Sequence, residues 1–191
     1  MKKLYIISGC NGAGKTTASY TVLPEMLGCK EFVNADEIAR GLSPFNPNKV
    51  AIQSGRLMLS RISELIELGV DFAFETTLAT RSYVNTVKKA QDKGYFVTLL
   101  YFWLNTPELA IERVRTRVLE GGHDIPEETI RRRYDLGIKN MFNLYIPIVN
   151  YWMFIDNSGA IFNVLAEGER AEVNVKSKLL WNKLKEDYNG N

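Results

Sequence analysis

A glycine-rich segment near the start of the chain has the residue types and spacing that hold phosphate groups. Residues 9–16 read GCNGAGKT, which matches the pattern G-x-x-x-x-G-K-[ST] between a strand-like apolar run and a plausible helix. Glycines let backbone N–H groups turn towards phosphate oxygens, the Lys15 ammonium can reach the outer phosphates, and the Thr16 hydroxyl can ligate Mg²⁺. The segment therefore predicts a nucleotide-phosphate site made by Gly9, Asn11, Gly12, Ala13, Gly14, Lys15, Thr16 and Thr17.

Two acidic residues follow two other strand-like segments. Asp36 comes after FVNA and Glu75 after FAF. Ligands of an open α/β sheet bind beyond the carboxyl ends of its strands, so both acids should face the same crevice as the glycine-rich loop. One carboxylate can take the proton of an acceptor hydroxyl, and another can hold a Mg²⁺ water or a substrate hydroxyl. The alternatives are a helix cap for Asp36 and a solvated strand end for Glu75; a cap at Asn34 would free Asp36 for chemistry.

Arginines that could reach a phosphate occur in two helical segments. Arg113 and Arg117, in RVRTR, are four residues apart and share one helix face, which a solvated surface would also explain. A planar guanidinium can contact two oxygens of a transferring phosphoryl group. The glycine pair at 121–122 would let an arginine-bearing segment move.

Three consecutive arginines, residues 131–133, follow that glycine pair. At about 100° per residue in an α-helix, Arg132 points away from the apolar stripe of its segment, whereas Arg131 and Arg133 flank the stripe on opposite sides. Glu127 stands four residues before Arg131 and offers it an ordinary ion pair, while Arg133 has no acid at that spacing. Arg131 and Arg133 are therefore the candidates for contacting phosphate.

Two further polar residues admit more than one interpretation. His123, the one histidine, fits a structural hydrogen bond better than a catalytic base, because a carboxylate base is already available. Asp156 ends a strand-like segment, where it either caps a turn or lies near the nucleotide.

Strands and helices must alternate to position these residues. Strand-like runs occupy 3–9, 30–33, 70–77, 95–104 and 151–158, and helical patterns occupy 15–27, 37–42, 47–69, 81–94, 107–122 and 125–145. A hairpin turning near Gly168 and a terminal helix over 176–188 complete the chain. This alternation predicts an α/β fold with a mostly parallel sheet.

Bulk properties favour a single domain over residues 1–191. The chain is 46% hydrophobic and carries a formal charge of +2, so nucleic acid is disfavoured as a partner and any anion site is local. Its two cysteines form no disulfide or metal pattern, and no run of about 18 apolar residues indicates a membrane span. We therefore expect a cytoplasmic protein without a membrane partner.

Five segments in order resemble the zeta toxin family and its stand-alone P-loop ATPase or kinase relatives over about residues 1–160. They read SGCNGAGKTT, FVNADEIARGLSP, FAFETTLATR, RVRTRVLEGGHDIPEETIRRRY and FIDNS. The resemblance implies a three-layer P-loop kinase-like core with sheet order 2-3-1-4-5, an arginine-bearing lid over about 117–133, and ATP or GTP with Mg²⁺. Family prototypes phosphorylate the 3′-hydroxyl of UDP-N-acetylglucosamine and are held inactive by a small helical antitoxin, so a similar acceptor and an antitoxin-like partner are implied here.

The resemblance also implies roles for individual residues. Lys15 and Thr16 match the phosphate and Mg²⁺ residues, Asp36 the proposed general base, and Glu75 the acid that helps to hold the sugar substrate. Arg117 and one of Arg131 or Arg133 match the lid arginines. In the same segment as Glu75, the further candidates for binding substrate are Thr77 and Arg81.

Two departures from the family concern the acceptor. Residues 75–78 read ETTL, where the family has a glycine-containing sequence at the end of the same strand. The chain also lacks the additional length of the larger toxins. Two rival functions therefore stay open: a nucleoside or polynucleotide kinase, and a non-catalytic, nucleotide-dependent binding or regulatory module.

Overall fold

Seven strands form one sheet in the part of the chain that the computed structural model describes, residues 1–122, 124–169 and 172–188. In chain order they are β1 (Lys2–Ser8), β2 (Glu31–Val33), β3 (Phe72–Thr76), β4 (Tyr95–Trp103), β5 (Tyr151–Asp156), β6 (Asn163–Glu169) and β7 (Glu172–Val175). The order across the sheet is β2–β3–β1–β4–β5–β6–β7. Strands β1 to β5 are parallel to one another, whereas β6 pairs antiparallel with β5 and with β7. The expected order 2-3-1-4-5 is confirmed.

Helices accompany the strands in a three-layer α/β architecture. They are α1 (Lys15–Thr21), α2 (Ala35–Leu42), α3 (Ala51–Leu68), α4 (Tyr83–Asp92), α5 (Pro107–Leu119), α6 (Glu127–Asn140) and α7 (Lys178–Tyr188). Two of them continue into π-helical turns, α1 over Val22–Met26 and α6 over Met141–Tyr145, and a 3₁₀ turn (Pro47–Val50) leads into α3. Among the described helices, none has both the length and the apolar character needed to cross a bilayer.

The predicted hairpin and terminal helix are present, and the chain reverses between Glu169 and Glu172, close to Gly168 as predicted. Gly168 lies within β6, paired with Trp152 of β5 and Val173 of β7, and β6 continues to Glu169. Glycine is common in turns, yet here the antiparallel pairing with two neighbouring strands holds it in the sheet.

The middle of the sheet is buried and directs the site residues to one edge. β1 pairs with β3 on one side and β4 on the other, and its Leu4 and Ile6 side chains are fully buried. Because these strands are parallel, their carboxyl ends meet at the same edge. The loops after β1, β2, β3 and β4 are therefore neighbours although they are far apart in the chain.

Aromatic rings join β4, β5 and α7. The Phe154 ring centroid lies 5.7 Å from that of Trp103 and 5.6 Å from that of Trp181, and Trp152 stacks on Trp181 at 5.2 Å. Such ring pairs stabilise beyond their burial of apolar area, which fixes α7 against β5.

Candidate active site

The loop between β1 and α1 is shaped by close backbone contacts. A Cβ on Gly9 would lie 2.1 Å from the Phe102 carbonyl oxygen at the end of β4, and one on Gly12 would lie 2.5 Å from the Ala110 carbonyl oxygen of α5. Gly12 also has a φ of +80°, which side chains disfavour. Only glycine fits both positions, so the loop backbone is pressed against β4 and α5.

Lys15, Thr16 and Glu75 form a polar group at the start of α1. The Lys15 Nζ is almost fully buried, donates to the Cys10 carbonyl oxygen at 3.0 Å and lies 3.5 Å from Glu75 Oε1. The Thr16 hydroxyl donates to Glu75 Oε2 at 2.7 Å. Glu75 reaches both residues because β3 pairs directly with β1, with Glu75 opposite Ile7.

Asn34, rather than Asp36, caps α2. Its Oδ1 accepts from the backbone N–H groups of Asp36 and Glu37 at 2.8 and 3.4 Å, and its Nδ2 donates to Glu75 Oε2 at 2.9 Å. A capping side chain satisfies N–H groups that the helix cannot. The alternative left open by the sequence is thus resolved, and the Asp36 carboxylate is available for a ligand.

Two adjoining cavities meet at these residues. The larger, about 390 Å³ and here named the phosphate-loop cavity, is lined by Asn11, Gly12, Gly14, Lys15, Thr16, Thr17, Asp36, Glu75, Arg113, Thr116, Arg117 and Glu120. The smaller, about 210 Å³ and here named the β3 cavity, is lined by Asn11, Lys15, Asn34, Ala35, Asp36, Met58, Glu75, Thr76, Thr77, Thr80, Tyr83 and Arg133. The residues common to both cavities are Asn11, Lys15, Asp36 and Glu75.

Arg117 and Arg133, two of the arginines that the sequence singles out, line the two cavities. Arg117 lines the phosphate-loop cavity from the last turn of α5. Arg133 lines the β3 cavity from α6 and donates from a guanidinium N–H to Asn11 Oδ1 at 3.0 Å. Burial lowers the pKa of Arg133, although the nearby Asp36 carboxylate opposes this shift. Both guanidinium groups are placed to meet an anion.

The structure does not bring Arg131 into the site. Arg131 is exposed and forms an ion pair with Glu108 of α5 at 2.6 Å, while Glu127, its expected partner, pairs with Arg115. Spacing within one helix identifies only partners on that helix, whereas α5 and α6 pack side by side and exchange ion pairs. Arg132 is exposed, as the helical geometry predicts.

The glycine pair at 121–122 ends α5. The Gly121 N–H donates to the Val118 carbonyl oxygen at 3.0 Å and the Gly122 N–H to the Arg117 carbonyl oxygen at 2.8 Å, which is the pattern of a glycine helix stop. A hinge at this pair stays a prediction. His123 lies outside the described residues.

Of the remaining substrate-binding candidates, Thr77 lines a cavity and Arg81 does not. Thr77 lines the β3 cavity together with Thr76 and Thr80, whereas Arg81 is exposed and lines neither cavity. Arg81 lies just before α4, at the far end of the segment that follows β3, so its position close to Glu75 in the sequence does not bring its side chain to the site.

The loop after β5 contributes Asn157 and Ser158, which the sequence does not single out. Asn157 Nδ2 donates to the Ala13 carbonyl oxygen at 2.9 Å, and the Ser158 carbonyl oxygen accepts from Arg113 at 3.2 Å. Asp156 Oδ1 accepts from the Ser158 N–H at 2.9 Å, so it caps this turn. The rule that ligands bind beyond strand ends applies to β5 as well, and it would have drawn attention to Asn157.

Comparison with known proteins places this arrangement in a family. The zeta toxin family model matches residues 1–141. An uncharacterised protein of Haemophilus influenzae is 30% identical over 141 residues, which cover 70% of this chain and 98% of that relative.

Similar solved structures share the fold at low sequence identity. A chain of the AvrRxo1-ORF1:-ORF2 complex determined with ATP matches with a TM-score of 0.78 and 17% identity over 96% of this chain; the match spans only 63% of that chain. A structure from the PezAT toxin-antitoxin system of Streptococcus pneumoniae gives 0.67 and 18% over all of this chain and 80% of that one. Shikimate kinase from Acinetobacter baumannii gives 0.51 and 23%, over 84% of this chain and 86% of the enzyme.

The region matched by the family model contains the glycine-rich loop, Asp36, Glu75 and the arginines of α5 and α6. The chain therefore belongs to the zeta toxin family and has a P-loop kinase fold.

Proposed function

We propose that the chain is a cytoplasmic, ATP-dependent kinase that transfers the γ-phosphoryl group to a hydroxyl of UDP-N-acetylglucosamine or a related metabolite. GTP is the alternative donor. The donor and acceptor are those of the zeta toxin prototypes, and the family match over residues 1–141 supports extending them to this chain.

The observation that carries the proposal is the position of Asp36 at the junction of the two cavities. Its carboxylate lines the phosphate-loop cavity, which suits a nucleoside triphosphate, and also the β3 cavity, which suits an acceptor. A general base must reach the proton of the attacking hydroxyl while the phosphoryl donor lies alongside. We therefore assign the role of general base to Asp36.

The proposed reaction uses groups that already face the cavities. The acceptor oxygen forms a bond to the γ-phosphorus, the bond from that phosphorus to the bridging oxygen breaks, and ADP leaves. The hydroxyl proton passes to the Asp36 carboxylate. Lys15, Arg117 and Arg133 stabilise the negative charge on the transferring group.

The residues at the start of α1 fit a magnesium ion. Mg²⁺ prefers hard oxygen ligands, and the Thr16 hydroxyl and Glu75 carboxylate oxygens lie 2.7 Å apart beside the phosphate loop. Thr16 would hold the ion directly and Glu75 a water bound to it. When bound, the ion supplies positive charge that neutralises the phosphate oxygens.

A panel of acceptors tests the proposed reaction. ADP release is measured for the purified chain with ATP, Mg²⁺ and sugar nucleotides, nucleosides or short oligonucleotides. We expect release that depends on a sugar nucleotide. Release with only nucleosides or oligonucleotide ends would support a nucleoside or polynucleotide kinase, and ATP binding without turnover would support a non-catalytic module.

The Asp36→Asn variant tests the base. Loss of the proton acceptor should lower kcat about a thousandfold while the ATP dissociation constant stays within about twofold. Glu37→Gln is the matched control, because Glu37 is the next residue on α2 and pairs with Arg40 at 3.1 Å on the helix surface. Normal turnover by Asp36→Asn would assign the base elsewhere.

The protein partner that we propose is antitoxin-like and holds the kinase inactive. The family match and the similar structure from the PezAT toxin-antitoxin system support it. Coexpression with the product of the adjacent open reading frame should give a copurifying complex with suppressed ADP release. Full activity and no copurification would contradict this choice of partner.

A further inference from the structure

The segment that follows β3 has a backbone conformation that its own sequence disfavours. Among the described residues, Leu78 is the one non-glycine residue with a left-handed backbone, at a φ of +58°. A bulky side chain rarely adopts this conformation. The Leu78 side chain is fully buried, so contacts from elsewhere in the molecule must hold the segment in place.

Those contacts come from α6 and its π-helical continuation. Asn140 Nδ2 donates to the Leu78 carbonyl oxygen at 2.8 Å, and the Tyr145 hydroxyl donates to the Thr80 carbonyl oxygen at 2.9 Å. Asn140 and Tyr145 are buried, which favours fixed hydrogen bonds over exchange with water. Inside the segment, the Leu78 N–H donates to the Thr76 hydroxyl at 3.0 Å.

A glycine in α6 permits this close approach. A Cβ on Gly137 would lie 2.7 Å from the Thr77 carbonyl oxygen. Glycine weakens a helix interior, so its presence here is explained by the space that the segment after β3 occupies. α6 and the segment therefore pack backbone against backbone.

The held segment forms one wall of the β3 cavity. Thr76, Thr77 and Thr80 line that cavity together with the shared residues Asp36 and Glu75. Threonine hydroxyls both donate and accept hydrogen bonds, which suits an acceptor that carries several hydroxyl groups. The same helix carries Arg133, about two turns before Asn140, to Asn11 of the phosphate loop.

We propose that Asn140 is a positioning residue for the acceptor. Its hydrogen bond holds residues 76–80 in the conformation in which the Leu78 backbone is left-handed. This conformation places Thr76, Thr77 and Thr80 in the β3 cavity. Because α6 also holds Arg133 against the phosphate loop, one rigid helix sets the position of the acceptor relative to the phosphoryl donor. This inference rests on the proposed kinase function.

The test compares Asn140→Ala with Asn143→Ala. Asn143 follows α6 in the π-helical turn and also donates to carbonyl oxygens, those of Lys139 and Tyr188, rather than to the segment after β3. For Asn140→Ala we expect faster amide hydrogen exchange in residues 76–82 and an acceptor KM raised about tenfold, with the ATP KM within about twofold. Asn143→Ala should change neither quantity.

Tyr145→Phe provides a milder variant in case Asn140→Ala folds poorly. It removes only the hydroxyl that donates to Thr80 and should raise the acceptor KM about threefold without changing the ATP KM. Equal behaviour of Asn140→Ala and Asn143→Ala, or faster exchange with an unchanged acceptor KM, would overturn the positioning role. A wild-type chain that turns over no acceptor would instead overturn the kinase function, and the positioning role with it.

Discussion

The phosphate-loop cavity and the β3 cavity share four residues but are built in different ways. One wall of the phosphate-loop cavity is made by Asn11, Gly12 and Gly14 of the loop, and at Gly9 and Gly12 the loop leaves no room for a Cβ against β4 and α5. The β3 cavity is bounded by side chains from segments that are far apart in the sequence. Asn34 connects two of these segments through its hydrogen bond to Glu75, 41 residues away, and Asn140 binds the Leu78 carbonyl oxygen, 62 residues away.

This difference follows from what each cavity is proposed to bind. A triphosphate presents the same oxygens whatever the acceptor, so backbone N–H groups together with the Lys15 ammonium can hold it. An acceptor is distinguished by the positions of its hydroxyl groups, which side chains must match. Substitutions in the loop should therefore weaken nucleotide binding, whereas substitutions around the β3 cavity should change turnover and the acceptor KM.

Arg133→Ala should have the largest effect and should not be confined to one cavity, because Arg133 lines the β3 cavity and also contacts Asn11 of the loop. Loss of an arginine that stabilises the transferring group should lower kcat about a thousandfold. Arg131→Ala removes a neighbouring arginine whose exposed ion pair with Glu108 is weak, so kcat should stay within about twofold. Steady-state kinetics of both variants provide the comparison, and equal losses would contradict the assigned roles.

Gly12→Ala should act on the loop alone. The added Cβ meets a carbonyl oxygen at 2.5 Å and the backbone is left-handed, so ATP affinity should fall about a hundredfold. Gly28→Ala is the matched control, since Gly28 has a φ of +63° but a Cβ added there would have nothing within 4 Å. It should lower the free energy of unfolding by about 1 kcal/mol and leave ATP affinity unchanged. Calorimetric titration with ATP and urea unfolding distinguish the two effects.

Glu75→Gln should show which cavity depends more on this shared carboxylate. Removing its charge should lower kcat/KM about thirtyfold, because Lys15 loses its ion pair and Thr16 loses a charged acceptor. A higher Mg²⁺ requirement would assign Glu75 to the nucleotide side, and a higher acceptor KM to the acceptor side. Glu31→Gln, which removes an exposed ion pair with Arg61 at 2.9 Å, should change neither.

Cys10→Ala should have the smallest effect, although Cys10 belongs to the loop. Burial raises the pKa of its thiol to about 11, so the thiolate is nearly absent at neutral pH. The loop uses the Cys10 carbonyl oxygen, which the substitution retains, and ATP affinity should change by less than about threefold. Slow alkylation of the wild-type thiol by iodoacetamide at about pH 8 would confirm its burial, whereas rapid alkylation would contradict it.

The sequence predicts the phosphate loop and the strand-helix alternation because both depend on neighbouring residues. Contacts between segments that are distant in the sequence are harder to predict. The pairing of Arg131 with Glu108 depends on how α5 packs against α6, and the contact of Asn157 with Ala13 joins residues 144 positions apart. The left-handed backbone at Leu78 contradicts local preference, since tertiary contacts impose it. Asn34 could be recognised as a cap, but its bond to Glu75 requires the pairing of β2 with β3.

The three tryptophans of the chain, all within the described residues, lie in the aromatic cluster around β5, and none lines either cavity. Tryptophan fluorescence therefore reports the docking of α7 on the sheet rather than the occupancy of the site. The stacked pair Trp152 and Trp181 joins β5 to α7, so separation of that helix would change the emission of both indoles. The chain thus contains its own optical probe for unfolding on the β5 side of the sheet, far from β2 in the strand order, while nucleotide binding needs an added label.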